Sequence, residues 1–96
     1  MEIIKNLKDT AMSVALSGRL DTTTAPQLEE ELELEGVTEL TFDFENLDYI
    51  SSAGLRVLLA AQKVMNKQGE MKIAHVNEDI MEVFEITGFS DILTIE

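Results

Sequence analysis

Ser51 and Ser52 stand side by side in the run LDYISSAGLRVLL, between a segment with strand character and an apolar segment with helical spacing. A hydroxyl at such a junction sits at a helix N-terminus. There the first backbone N–H groups lack intrahelical partners, and the positive end of the macrodipole favours an added negative charge such as a phosphate. The position also has an ordinary use, because serine is among the commonest N-cap residues. Spacing alone leaves both roles open, a structural cap or a hydroxyl that accepts a group.

Competing chemistries fail on inventory. Nucleophilic catalysis by either serine needs a base. The one imidazole, His75, falls on an expected strand, with no nucleophile-elbow motif near the serines, and reads as a structural or surface residue. The five glycines are scattered, and neither GxGxxG nor GxxxxGK[ST] occurs. Asp43, near a strand end, could imitate the phosphoacceptor of a receiver domain. Such a site needs Mg²⁺-binding carboxylates at the end of the first strand, and that region offers only Lys5, Asn6, Lys8 and Asp9. The acidic stretch 29–35 lacks the glycine and alternating ligands of an EF-hand loop. With no cysteine, there is neither a disulfide nor a Cys-based zinc site. No enzymatic activity, cofactor or metal site is read from the chain.

Charge narrows the partners. Nineteen acidic residues against seven basic ones leave a formal charge of −12, which repels nucleic-acid phosphates and anionic lipid. A hydrophobic content of 45% is too high for a disordered acidic tail, so the charge belongs on the surface of a folded body. Met1 to Asp9 alternates apolar with charged residues, and no long apolar run marks a signal peptide or membrane span. The expected location is cytoplasmic, with neither nucleic acid nor membrane as partner. Ninety-six residues make one domain, 1–96, and area scaling predicts about 5,500 Å² exposed when folded.

The elements that must position the serines follow from periodicity. Residues 2–8 and 11–20 read as two strands joined at Lys8, Asp9 and Thr10. In the second, Met12, Val14, Leu16 and Leu20 share one face, and Gly18 marks a bulge. Thr24 and Gln27 have capping-box spacing, Pro26 lies in the first turn, and Ala25, Leu28 and Leu32 recur at helical spacing, which predicts a helix over 25–35. Its outer face carries Glu29, Glu30, Glu31, Glu33 and Glu35, the last two opposing the dipole near the helix end. Residues 38–44 alternate as a strand, and Glu45 to Ile50 read as a loop. Leu55, Leu58, Leu59, Gln62 and Met65 mark the inner stripe of a helix over 52–67. Met71 and Ile73 belong to a fourth strand, Asn77 caps a third helix that Gly88 closes, and Ile92 to Ile95 read as a short last strand. This order implies an α/β domain: a mixed, largely parallel sheet with an N-terminal antiparallel hairpin and three crossover helices.

Two motifs carry a resemblance that spans the chain. The run from Val37 through Leu59, an alternating strand followed by NLDYI, SSAGL and an apolar helix, resembles the STAS domain of bacterial anti-sigma factor antagonists. SGRLDTTTA, Ser17 to Ala25, matches the family's second landmark, a strand ending in Gly-x-Leu-Asp before the first helix. The resemblance implies a STAS-like fold and a non-enzymatic regulator of transcription that works by partner switching. Unphosphorylated, it binds an anti-sigma factor that is also an ATP-dependent serine kinase. Phosphorylated, it lets go until a metal-dependent serine phosphatase restores it.

Carried over by position, the phosphoacceptor is Ser52, two residues before Gly54. The family often has Asp-Ser-Ser-Gly here, whereas this chain has Ser51 for the aspartate and Ala53 for the second serine, which makes Ser51 the alternative acceptor. The resemblance also places Asp21, Thr22 and Thr23 beside the serine, and it implies a partner-binding set of these three with Ser51, Ser52, Gly54, Leu55 and Arg56. Asp21 serves either helix entry or partner contact. Ser52 is expected to combine cap and acceptor, so that alanine there both destabilises the fold and blocks the switch. The alternative function is a constitutive STAS scaffold in a multiprotein signalling complex, with the serine a cap only.

Overall fold

The computed structural model describes residues 1–96. Two strands open the chain, β1 (Glu2–Lys8) and β2 (Ala11–Leu20), joined through Asp9 in the left-handed region at φ 57°. Then follow α1 (Ala25–Glu31), β3 (Glu39–Ile50), α2 (Ser52–Met65), β4 (Glu70–Ala74) and α3 (Glu78–Thr87), with a 3₁₀ turn at Phe89–Asp91. The strands lie in the order β1-β2-β3-β4, antiparallel between β1 and β2 and parallel elsewhere. This is the α/β architecture the element order implies. No helix is long and apolar enough to cross a membrane.

Alternation decides which face is covered. Met12, Val14 and Leu16 of β2, Leu40, Phe42 and Phe44 of β3, and Met71 and Ile73 of β4 are all buried, while Ser13, Thr41, Asp43 and Lys72 between them are exposed or half-buried. The helices therefore cover one face only. Ala25 and Leu28, then Val57, Leu58, Ala61 and Met65, then Ile80 and Phe84 bury against it. The Phe44 ring lies 6.1 Å from Phe42 and 6.5 Å from Phe84, tying α3 to β3 through tilted aromatic contacts. The exposed surface is 5685 Å², close to the value area scaling predicts.

Three expected elements change. The first helix stops at Glu31 and not at residue 35, with Leu32 already extended at ψ 91°. Like charges crowd its last turn, where the dipole is negative, and leaving the helix lets Leu34 and Val37 reach the core. Glu33 and Glu35 thus lie beyond the helix. Its free end is closed by β1, whose Lys5 Nζ donates to the Glu31 carbonyl at 2.9 Å and stands 3.8 Å from the Glu31 carboxylate.

Glu45 to Ile50, read as a loop, continues β3. Pairing with β2 slips by one residue between Ala15 and Ser17, and again between Gly18 and Arg19. Each slip adds a residue to β3, so its inward positions run 40, 42, 44, 47, 50. The period-two signal ends where the first bulge begins, although the strand does not. The bulge expected at Gly18 is present, with φ 100° at that glycine.

The last strand is reduced to one bridge, Ile73 with Ile95, made by Ile73 N–H to Thr94 O and Glu96 N–H to Ile73 O, each 2.9 Å. After Gly88, in the left-handed region at φ 81°, the chain turns directly into the 3₁₀ turn. Leu93 N–H donates to Phe89 O at 2.8 Å and its side chain is buried, which leaves only the final residues free to pair. The other helices keep their expected bounds within two residues.

Candidate functional site

Leu20 and Ile50 are register partners at the C-terminal ends of β2 and β3, and Ser51 N–H donates to Leu20 O at 2.9 Å. Asp21 and Ser51 therefore leave the sheet at adjacent points. In open α/β sheets, the carboxyl ends of the strands are where ligands and partners are received. The two sequence motifs, thirty residues apart, meet at this corner.

The two serines divide the work at the start of α2. Ser51 is extended (φ −101°, ψ 176°) and half-buried, and its Oγ accepts from Gly54 N at 3.4 Å, a long cap bond. Ser52 is the first helical residue and is exposed. The double role expected of Ser52 is therefore corrected. A cap needs a non-helical backbone to aim its oxygen at the third amide of the helix, a geometry Ser51 has and Ser52 lacks. Ser51→Ala is accordingly expected to cost about 0.5–1 kcal/mol, the lower part of the cap range, and Ser52→Ala less than about 0.5 kcal/mol. Urea unfolding of the two variants checks this, and the reverse order would return the cap to Ser52.

The residues behind the serines hold the corner and do not present a surface. Gly54 is buried, and a Cβ built there would lie 2.7 Å from Leu20 Cγ and 2.9 Å from Ile50 Cγ1. Glycine is what allows the first turn of α2 to press against both strand ends. Leu55, also buried, faces the core. Arg56 is exposed one turn beyond Ser52, the spacing at which side chains on a helix meet. With Thr22, Pro26, Glu29 and Ala53 it lines a shallow 220 Å³ cleft between α1 and α2.

Asp21 organises the other side. Its Oδ1 accepts from the Thr23 hydroxyl at 2.7 Å and from the amides of Thr23 and Thr24 at 3.0 and 3.1 Å. The Thr23 hydroxyl above all, with these amides and the Thr24 hydroxyl, holds its carboxyl at a pKa of about 2, against partial burial that would raise it. Asp21 thus performs the helix-entry role. The capping box expected of Thr24 and Gln27 does not form, because Asp21 reaches the entry amides first. Thr24 Oγ1 instead accepts from Asp21 N at 2.8 Å and donates to Arg19 O at 2.7 Å. Thr22 is exposed on the cleft, and Thr23 is exposed with its hydroxyl committed to Asp21.

Two groupings are invisible in the linear pattern. Arg19 lies 3.7 Å from Asp21, and its guanidinium sits 4.1 Å from the centroid of the Tyr49 ring, within cation–π range. Tyr49 falls in the segment whose pattern predicts a loop, and only the continued β3 makes it the register partner of Arg19. The second grouping is Asp43, Glu45 and His75, on the open sheet face. The Asp43 carboxylate meets His75 Nδ1 at 2.9 Å and the Glu45 amide at 3.0 Å. The Glu45 amide, then the imidazole, lower the Asp43 pKa, and the Asp43 hydrogen bond raises that of His75. The useful sequence signal is the D-x-E spacing on one strand, with a histidine directly after the end of the neighbouring strand.

Comparison with known proteins bears on both fold and site. The profile of the STAS domain matches residues 2–96. A candidate anti-sigma factor antagonist of Bordetella bronchiseptica, BtrV, is 37% identical over 99% of this chain and 85% of its own length. The anti-sigma-B factor antagonist of Listeria monocytogenes is 33% identical over 97% of this chain and 85% of its own. Among solved structures, the anti-sigma factor antagonist SpoIIAA in its unphosphorylated form superposes with a TM-score of 0.78 at 17% identity, covering 99% of this chain and 87% of that one. Bacillus SpoIIAA in its phosphorylated form gives 0.77 at 17%, covering 99% and 91%.

Proposed function

Since the chain belongs to the STAS domain family, among relatives that are anti-sigma factor antagonists, we propose that it switches partners under control of a phosphate on Ser52. Unphosphorylated, it binds an anti-sigma factor that is also an ATP-dependent serine kinase and so frees the sigma factor. Phosphorylation ends the complex, and a metal-dependent serine phosphatase resets it. The protein supplies a hydroxyl and a surface, the kinase supplies ATP and Mg²⁺, and the setting is the cytoplasm, where transcription runs.

One observation carries the reading: Ser52 is exposed in the first turn of α2 while its neighbour Ser51 supplies the cap. A kinase can take the free hydroxyl without unmaking the helix start. The modified residue would face free amides and the positive end of the helix dipole, with Arg56 one turn away, so the fold tolerates the phosphate. The partner does not. A phosphate adds about −1.5 to −2 charges and three acceptor oxygens to a contact surface made of Thr22, Thr23, Ser51, Ser52 and Arg56. Asp21, Gly54 and Leu55 shape that surface from behind.

The test is reaction with the partner kinase, ATP and Mg²⁺, followed by phosphopeptide mapping. One phosphate on Ser52 is expected. Phosphate on Ser51 would overturn the register, and phosphate on Thr22 or Thr23 the motif assignment. With no phosphate incorporated, the protein would be a constitutive scaffold.

A further inference from the structure

Asp43 and Glu45 project from the open face of β3 two residues apart, on the side opposite the buried Phe42 and Phe44. Asp43 pairs in register with Ala74, the last residue of β4. The next residue, His75, leaves the ladder with φ 60° and brings its ring back against Asp43, Nδ1 to Oδ1 2.9 Å. One ligand atom from each of Asp43, Glu45 and His75 lies within 4.8 Å of the others. Ion pairs elsewhere join Lys5 to Glu31 and Arg19 to Asp21. At this cluster the imidazole is the only ion-pair partner of the Asp43 carboxylate, which otherwise accepts only from the Glu45 amide, and no lysine or arginine pairs with Glu45.

We propose that Asp43, Glu45 and His75 bind a divalent transition-metal cation of the zinc class. Imidazole with two carboxylates suits borderline cations such as zinc, whereas calcium and magnesium take oxygen ligands alone. Ligands around one such ion sit about 2.0–2.2 Å from it, hence roughly 3–3.4 Å from each other. Asp43 and His75 already have about that separation, and exposed Glu45 closes the third edge by a rotamer change. Three protein ligands leave further positions to water. The ion would join the bulged part of β3 to the turn between β4 and α3, roughly 20 Å along β3 from the Ser51 corner. Its presence is thus independent of phosphorylation at Ser52.

The experiment is a zinc chloride titration of untagged protein in a non-chelating buffer, read by calorimetry and by the His75 imidazole resonances, with magnesium and calcium chloride run in parallel. Saturable one-to-one zinc binding is expected, with selective movement of the His75 signals and a melting temperature that rises with zinc. His75→Asn keeps a residue at home in the left-handed region, and Glu45→Gln keeps size and shape. Both should fold as wild type without metal and lose at least about tenfold in zinc affinity. Zinc affinity unchanged in either folded variant, equal affinity for magnesium, or no saturation by about 1 mM zinc would overturn the proposal.

Discussion

Ser52→Asp is expected to weaken binding to the proposed anti-sigma kinase partner by about 2 kcal/mol, or roughly 30-fold, while its melting temperature moves by less than about 2 °C. The two readouts separate because they draw on different parts of the corner. A carboxylate in the first turn of α2 meets the positive end of the helix dipole, which offsets its cost in the free protein. In the proposed complex the same charge would be buried against a partner surface that receives a neutral hydroxyl, on a chain that already carries −12. Ser52→Ala gives the opposite result. It keeps wild-type affinity but forms a complex that persists when ATP and Mg²⁺ are added, since no acceptor remains. Calorimetry on Ser52→Asp and a pull-down with and without ATP on Ser52→Ala measure the two. Dissociation of the Ser52→Ala complex by ATP at the wild-type rate would show that nucleotide alone drives release, and the switch would then lie in the kinase.

Gly69→Ala is expected to be the most damaging small substitution in the chain. A Cβ at residue 69 would lie 1.9 Å from the carbonyl oxygen of Thr38, 2.6 Å from its carbonyl carbon and 2.8 Å from its Cα. Those are backbone atoms at the entry to β3, and the adjacent amide of Glu70 donates to that same oxygen at 2.9 Å, starting the β3 and β4 pairing. Relief requires moving one strand against the other. The expected cost is about 3 kcal/mol, lowering the melting temperature by roughly 12–24 °C. The atoms nearest a Cβ at Gly54 are side-chain atoms of Leu20 and Ile50, which can shift, so Gly54→Ala should lose less. Thermal unfolding of the pair measures the order. A Gly69→Ala melting temperature within a few degrees of wild type would contradict the close approach of the two strands.

Local pattern was sufficient where a period of two or 3.6 ran unbroken. Met12 to Leu16, Leu40 to Phe44 and the stripe through Leu55, Leu58 and Met65 were legible because each residue's face depends only on its neighbours along the chain. Caps at Asn77 and Gly88 were legible for the same reason, since the atoms they satisfy lie within one turn. The sheet's mixed character also followed, because alternating strands and helices require parallel crossovers.

What the chain could not show by itself was whatever depended on a second strand or a competing donor. Bulges against β2 carried β3 on to Ile50 and placed Tyr49 beside Arg19, a shift that no period along one strand records. Asp21, not Thr24, took the entry amides, and Ser51, not Ser52, became the cap. Residue type allowed either choice in both cases, and backbone conformation decided between them. The sequence by itself determined the fold class and the presence of two hydroxyls at one helix start. Only the tertiary structure decided which hydroxyl is held and which is free, through the backbone conformation at the strand-to-helix junction, and brought His75 across thirty-two residues to Asp43, through the register of β3 and β4, neither of which spacing along the chain records.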